Sequence, residues 1–179
     1  MADSDTGDAA LDSLSVVSRA VELTVERIPD TDADAMRAVL LLHRVVNVLS
    51  YDLESSVHRP RGWSWPAFRL LFTIWVSGKQ ESKNVAALSG MSRAAVSSLT
   101  NTLEPMGLLT REVDPTDKRK MLLALTPQGS AELETALKAN NQRESMWAGA
   151  LSPAELGGLG TALEKLASVA QSEWVNKRD

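Results

Sequence analysis

The sequence predicts a mainly α fold carrying one small β-wing, and three observations predict it. Apolar residues recur at three- and four-residue intervals in several segments, the period of a helix with one buried face. Two short apolar runs, Leu108–Val113 and Met121–Leu125, flank the turn-rich Asp114-Pro115-Thr116-Asp117-Lys118, a hairpin signal. Ser, Thr, Pro and Gly stand where helix ends need caps and stops. At 179 residues, with 44% hydrophobic and 23% charged content, the chain suffices for one substantial core, and two would be thin.

In order along the chain, the polar, Asp-rich stretch Ala2–Ala10 reads as a loose tail. Leu14, Val17, Val21, Val25 and Ile28 then mark an amphipathic helix over about 11–28, stopped by Pro29. The acidic linker Asp30–Asp34 leads to a second helix, about Ala35 to Val57. That helix is apolar nearly all round, so it is expected to be buried from two sides, by its own domain and by another subunit. His58-Arg59-Pro60-Arg61-Gly62 breaks it. Ser64 and Pro66 open a helix from Trp65 to Ser77, which Gly78 closes. A short helix over Ser82–Ser89 buries Val85 and Leu88. Gly90-Met91-Ser92 turns the chain, and Ser92 is placed to cap a helix over Arg93–Glu104, ended by Pro105 and Gly107.

After the hairpin, Thr126-Pro127 reads as an N-cap followed by proline at the first helical position, starting a helix to about Ala148. Ser152-Pro153-Ala154-Glu155 is a capping box that starts a last helix to about Val175. Along it Leu156, Leu159, Leu163, Leu166 and Ala170 form a near-heptad seam, the pattern of a helix packed lengthwise on another. Helix, tight turn, helix and hairpin in this order make a winged helix-turn-helix. The expected domains are an acidic tail and extra helix (1–34), a winged helix-turn-helix (61–126), and a helical dimerisation domain made of 35–60 and 127–179.

Charge points to the partner. The chain carries a net −4, but residues 61–120 hold nine bases against five acids, while residues 1–35 hold nine acids against two bases. A basic middle between acidic ends suits a DNA-contacting module in an otherwise acidic scaffold. At about 100° per residue, with Arg93 at zero, Ser97, Asn101, Ala94 and Ser98 fall between about 40° and 140°. Val96, Leu99 and Leu103 fall between about 240° and 300°. One face is apolar, and the other offers a guanidinium, hydroxyls, an amide and a methyl. These suit the major groove: Arg can bind guanine, and Asn adenine, in bidentate fashion, and a methyl can meet thymine. Thr116, Asp117, Lys118, Arg119 and Lys120 form a basic hairpin tip able to enter the adjacent minor groove, where cations are favoured. Asp117 is placed to orient the Arg119 guanidinium through a charge-assisted bond. Ser92, which caps the helix, completes the candidate DNA-contacting set.

Asn84 to Ser92, Leu103-Glu104-Pro105-Met106-Gly107-Leu108-Leu109-Thr110-Arg111, Asp114 to Lys120, and Leu125-Thr126-Pro127-Gln128-Gly129 together resemble the multiple-antibiotic-resistance regulator (MarR) family of bacterial transcription factors. The resemblance spans about residues 36–175, with its specific motifs in 84–129. It implies an obligate homodimer with interlocked N- and C-terminal helices, two winged lobes on a palindromic operator, and repression relieved by a small ligand. It implies that Arg119 is the minor-groove arginine, Asp117 its partner, and Arg93–Thr102 the base-reading helix. The chain departs from the family in having Arg93 as the sole cation of that helix. The extra N-terminal helix is found in some members, including urate-responsive ones, where it buttresses the dimer; that subgroup's ligand residues are not matched here.

Trp63, Trp65 and Trp75 fall near the junction between lobes, where members of the family hold phenolic or aromatic carboxylate effectors. His43, His58, Arg61 or Arg69 would supply the polar contact, and core and hinge packing is the competing account of the tryptophans. His43, amid apolar neighbours, is read first as a hydrogen-bonded interface residue and only second as a ligand contact. Two isolated histidines, no cysteine, no glycine-rich phosphate loop and no nucleophile elbow leave no basis for an enzyme, a metal site or a cofactor. Without a long apolar run or a basic leader, the expected location is the cytoplasm. A winged helix used for protein contact is the rival reading, and a wing with Lys118, Arg119 and Lys120 together argues against it.

Overall fold

The computed structural model describes residues 13–169 and 172. They form two compact units that divide between Glu54 and Ser55. In the first, helix α1 (Ser13–Arg27) packs on helix α2 (Ala33–Leu53). Val17 and Val21 of α1 are buried, and Arg37 donates to the Ser18 hydroxyl at 3.2 Å. Asp32 caps α2 by accepting from the Ala35 N–H at 2.9 Å. The acidic tail expected over residues 2–10 lies outside the described residues. α2 leaves Val39, Val45, Val46, Val48 and Tyr51 exposed.

The chain passes from α2 into a π-helical turn, Glu54–His58, and a 3-10 turn, Arg59–Arg61, in place of the simple break expected at residues 58–62. Pro60 supplies no N–H to continue a helix, and Gly62 takes φ +75°, a left-handed conformation that a Cβ would strain.

The second unit starts with helix α3 (Trp65–Ser77), capped by Ser64, whose hydroxyl oxygen accepts from the Ala67 N–H at 3.2 Å. Strand β1 (Gln80–Glu81), helix α4 (Ser82–Ser89) and helix α5 (Arg93–Leu103) follow, then the hairpin β2 (Leu109–Val113) and β3 (Met121–Leu125). The sheet order is β1-β3-β2, antiparallel throughout, with Leu109 opposite Leu125 and Val113 opposite Met121. β1 is absent from the sequence expectation, because two residues carry no periodicity and the strand exists only by pairing Gln80 with Leu123 and Glu81 with Leu122. Each helix contributes its apolar stripe to one core: Leu70, Leu71 and Ile74 from α3, Val85 from α4, Val96 and Leu103 from α5. Leu108, Leu109, Leu123 and Leu133 close it. Leu88 of α4, expected inside, is 62% exposed. A helix of eight residues turns only one narrow stripe to the core, and Val85, Ala86 and Ser89 occupy it.

The wing joins helix α6 (Pro127–Ala148) through a tight knot. The Thr126 hydroxyl donates to the Gly107 carbonyl at 2.5 Å and its oxygen accepts from the Gly129 N–H at 2.9 Å. The Thr126 N–H donates to the Leu108 carbonyl at 3.1 Å. A Cβ on Gly129 would fall 1.8 Å from that same carbonyl oxygen, so the Leu-Thr-x-x-Gly pattern is a requirement of backbone approach.

Helix α7 (Pro153–Val169) begins at the expected capping box, with Ser152 N–H and Oγ both donating to Glu155 Oε2, at 2.8 and 2.7 Å. The Ser152 hydroxyl bond, with the backbone bond beside it, holds the Glu155 carboxyl below its ordinary value. No residue of α7 is buried, and Leu156, Leu159, Leu163 and Leu166 are exposed. The rest of the expected helix, to Val175, and Ala170 of its seam lie outside the described residues.

Candidate nucleic-acid interface

The turn before α5 is built on Gly90, at φ +67°, whose neighbour Met91 donates to the Ala86 carbonyl at 3.1 Å. The Ser92 hydroxyl oxygen then accepts from the Ala95 N–H at 3.1 Å and starts α5. Val96, Thr100 and Leu103 are buried and Leu99 is half-buried, which fixes the rotation of the helix about its axis. The same rotation leaves Ser92, Arg93, Ala94, Ser97, Ser98 and Asn101 exposed as one polar face. The buried Thr100 hydroxyl is satisfied locally, donating to the Val96 carbonyl at 2.8 Å.

At the hairpin tip, Asp114 Oδ1 accepts from the Thr116 N–H at 2.7 Å, the Thr116 hydroxyl at 2.6 Å and the Asp117 N–H at 3.2 Å. The Thr116 hydroxyl bond, followed by the backbone bonds, holds the Asp114 carboxyl below its ordinary value. This local turn gives the wing a defined tip without a core beneath it.

Asp117 does not hold the Arg119 guanidinium as expected. Its Oδ1 accepts from the Arg119 backbone N–H at 3.1 Å, because a two-residue spacing in a tight turn sets the carboxylate over the main chain. Lys120 is also partly engaged: its ammonium lies 3.4 Å from Glu81 Oε1 and 3.9 Å from Asp117 Oδ2. Glu81 pairs with Lys83 at 2.8 Å, and that hydrogen bond is the first cause of its lowered carboxyl pKa, with Lys120 adding to it. Lys118 and Arg119 are exposed, and neither forms an ion pair among the described residues.

Sequence reasoning gave no role to Arg111 on β2. Its guanidinium donates to Glu104 at 2.8 Å and to Asn101 Oδ1 at 2.5 Å, joining the end of α5 to the wing. The available signal was an acid at the helix end followed by a strand arginine seven residues later.

The residues proposed for a ligand part company. Trp65 and Trp75 lie on one face of α3, linked through Phe68 and Phe72 by stacked rings at centroid distances of 5.6, 6.0 and 6.2 Å. His58 is buried and stacks on Phe68 at 4.2 Å. Trp63 is not on this face but in the core, its indole Nε1 without a hydrogen-bond partner among the described residues. Arg69 is committed to the Ser89 carbonyl, and Arg61 to the Val57 carbonyl. His43 is exposed on α2, in the first unit. An open cavity of about 200 Å³ is lined by Trp75 with Ile74, Gly78, Lys79, Ala124, Leu125 and Ser130. Among the described residues no group of histidines and acids could hold a metal ion, and no helix is long and apolar enough to cross a membrane.

Residues 63–121, the helix-turn-helix and most of its wing, match the MarR family model. Residues 63–121 are a MarR-family winged helix. It is 29% identical over 118 residues to the HTH-type transcriptional regulator YwaE of Bacillus subtilis, covering 66% of this chain and 67% of that one. Among solved structures it is similar to the transcriptional repressor CouR bound to a 23-mer DNA duplex, with TM-score 0.65 and 25% identity over 72% of this chain and 90% of that one. It is equally similar to BpsR of Bordetella bronchiseptica, whose DNA binding is regulated by 6-hydroxynicotinic acid, with TM-score 0.64 and 25% identity over 71% and 90% of the two chains. MarR-family proteins are transcriptional regulators, not enzymes. The three-stranded sheet in a mainly helical chain is the fold of these neighbours.

Proposed function

We propose that this protein is a homodimeric repressor of the MarR type that grips a palindromic operator and is released by a small aromatic or phenolic ligand. The observation that carries the reading is the exposed polar face of α5 beside a wing whose Lys118 and Arg119 are free of ion pairs among the described residues. α5 enters the major groove with Arg93, Ala94, Ser97, Ser98 and Asn101 toward the bases, and Arg119 reaches the flanking minor groove. Two such lobes read half-sites about one helical turn apart.

Dimerisation rests on residues 35–60 and 127–179, with 61–126 as the DNA-binding part and 1–34 as tail and buttressing helix. The exposed valines of α2 and leucines of α7 support this, since apolar rows of that length are costly in water. The stacked face Trp65, Phe68, Phe72 and Trp75 supports an aromatic effector, and BpsR supplies a relative that answers to one. The site of action is the cytoplasm, where an operator is reached.

Gel-shift titration on the operator beside its own gene tests the reading. Arg119→Ala is expected to weaken binding about 10-fold or more with the dimer intact, the cost of one groove-reading arginine. Unchanged affinity would remove the wing from the interface. Affinity is also expected to fall steeply with salt as counterions are released, whereas a flat response would favour a protein-contact module.

A further inference from the structure

We infer that Arg111 sets what Asn101 can read: it turns the amide oxygen toward the protein, so that Asn101 presents its Nδ2 donor to the DNA and selects the two-acceptor edge of guanine rather than adenine. The inference rests on α5 being the base-reading helix.

Arginine carries only donors, so the amide atom facing Arg111 Nη2 at 2.5 Å must be Oδ1. The other arm of the same guanidinium donates to Glu104 Oε2 at 2.8 Å, which fixes the fork from a second direction. Arg111 stands in the middle of β2, opposite Leu123 of β3, so its backbone is held by the sheet. Glu104 is the C-cap residue of α5, itself bonded to the Thr100 carbonyl, so the acid is held as well. Asn101 is therefore oriented by two elements of the lobe before any DNA arrives.

The bidentate contact of Asn with adenine needs the amide oxygen and nitrogen side by side on the base edge, oxygen to N6–H and nitrogen to N7. Guanine offers two acceptors, N7 and O6, that the two N–H bonds of Nδ2 satisfy, whereas adenine offers N7 alone beside its N6–H donor. With one lone pair of Oδ1 engaged by Arg111, adenine's N6–H competes with the guanidinium for the amide oxygen, and guanine's two acceptors do not. The inferred contact is therefore Asn–guanine, in place of the Asn–adenine pair expected from sequence. Recognition in this lobe is thus shared between a helix residue and the strand residue that orients it.

Selection from a randomised operator library tests this with full-length protein. The wild type is expected to prefer guanine at the Asn101 position by at least about 5-fold, the low end of what one base contact yields. Arg111→Lys keeps an ion pair to Glu104 but removes the second arm, and is expected to shift that position toward adenine while leaving the other positions unchanged. Arg111→Met is the second variant, with thermal melting to confirm a folded lobe. Adenine selected by the wild type, or the same preference in both folded variants, would overturn the inference. Asn101→Ala separates this from the underlying reading: losing selectivity only at that position supports base reading by α5. Selectivity unmoved by Asn101→Ala would take Asn101 out of the interface and the inference with it.

Discussion

The lobe centred on α5 and the helix α7 are both rich in leucine and meet opposite fates. Leu103, Leu108, Leu109, Leu123 and Leu133 are at most 1% exposed, whereas Leu156, Leu159, Leu163 and Leu166 are 39–57% exposed. The first set lies on elements joined by turns of a few residues, so local chain geometry brings them together. The second set lies on one helix that contributes no buried residue, and its spacing makes a continuous stripe. Each core leucine stabilises its lobe by about 1.5–3 kcal/mol on burial. The α7 leucines gain nothing comparable until something covers them. A leucine in this chain thus either builds the core of the lobe or stands exposed along α7, and its neighbours in sequence decide which.

The contrast can be broken first at Gly129. Gly129→Ala forces a methyl onto the Leu108 carbonyl and is expected to destabilise the winged lobe by about 3 kcal/mol or more, read by urea denaturation. Leu103→Ala in the core is expected to cost about 2–5 kcal/mol at any protein concentration. The matching change on α7, Leu163→Ala, is expected to move the melting temperature only through its concentration dependence, with sedimentation velocity reporting a weaker dimer. A concentration-independent loss at Leu163 would erase the distinction.

Thr126→Ala removes a helix cap and the bond to Gly107, and about 1–2 kcal/mol is expected from the same denaturation curves. The smallest effect belongs to the wing tip. Asp114 is half-buried and its carboxyl pKa is depressed in the folded turn, so its contribution is present above the ordinary value of 3.8 and fades as pH falls through the lower folded value. The Thr116 amide resonance is expected to stay fixed from neutral pH down to that range. Asp114→Ala should lose the turn at neutral pH with little change in melting temperature.

Periodicity and caps made nearly the whole lobe legible. Ser64, Ser92 and Thr126 each accept the N–H three residues on, and the expected start of every one of those helices coincides with the observed one. Such signals are local, and the physics behind them is local too. What escaped was made by tertiary pairing: β1, the Arg111 fork and the exposure of Leu88 depend on partners that no window of sequence contains. The same holds at the wing, where spacing suggested an Asp117–Arg119 side-chain bond and the tightness of the turn gave Asp117 to the main chain. The ligand candidates were grouped by residue type, and the fold commits Trp63 to packing and Arg69 to a carbonyl.

The knot at Thr126, Gly107, Leu108 and Gly129 has a mechanical meaning. Gly129 meets the Leu108 carbonyl with no side chain between, and the Thr126 hydroxyl ties Gly107 to Gly129, so the joint has little slack to absorb a displacement. A shift of the first turn of α6 is therefore expected to move the root of the hairpin with it. The hairpin is the blade of a tool whose handle is a helix, and a ligand that turned the handle would have no need to touch the blade.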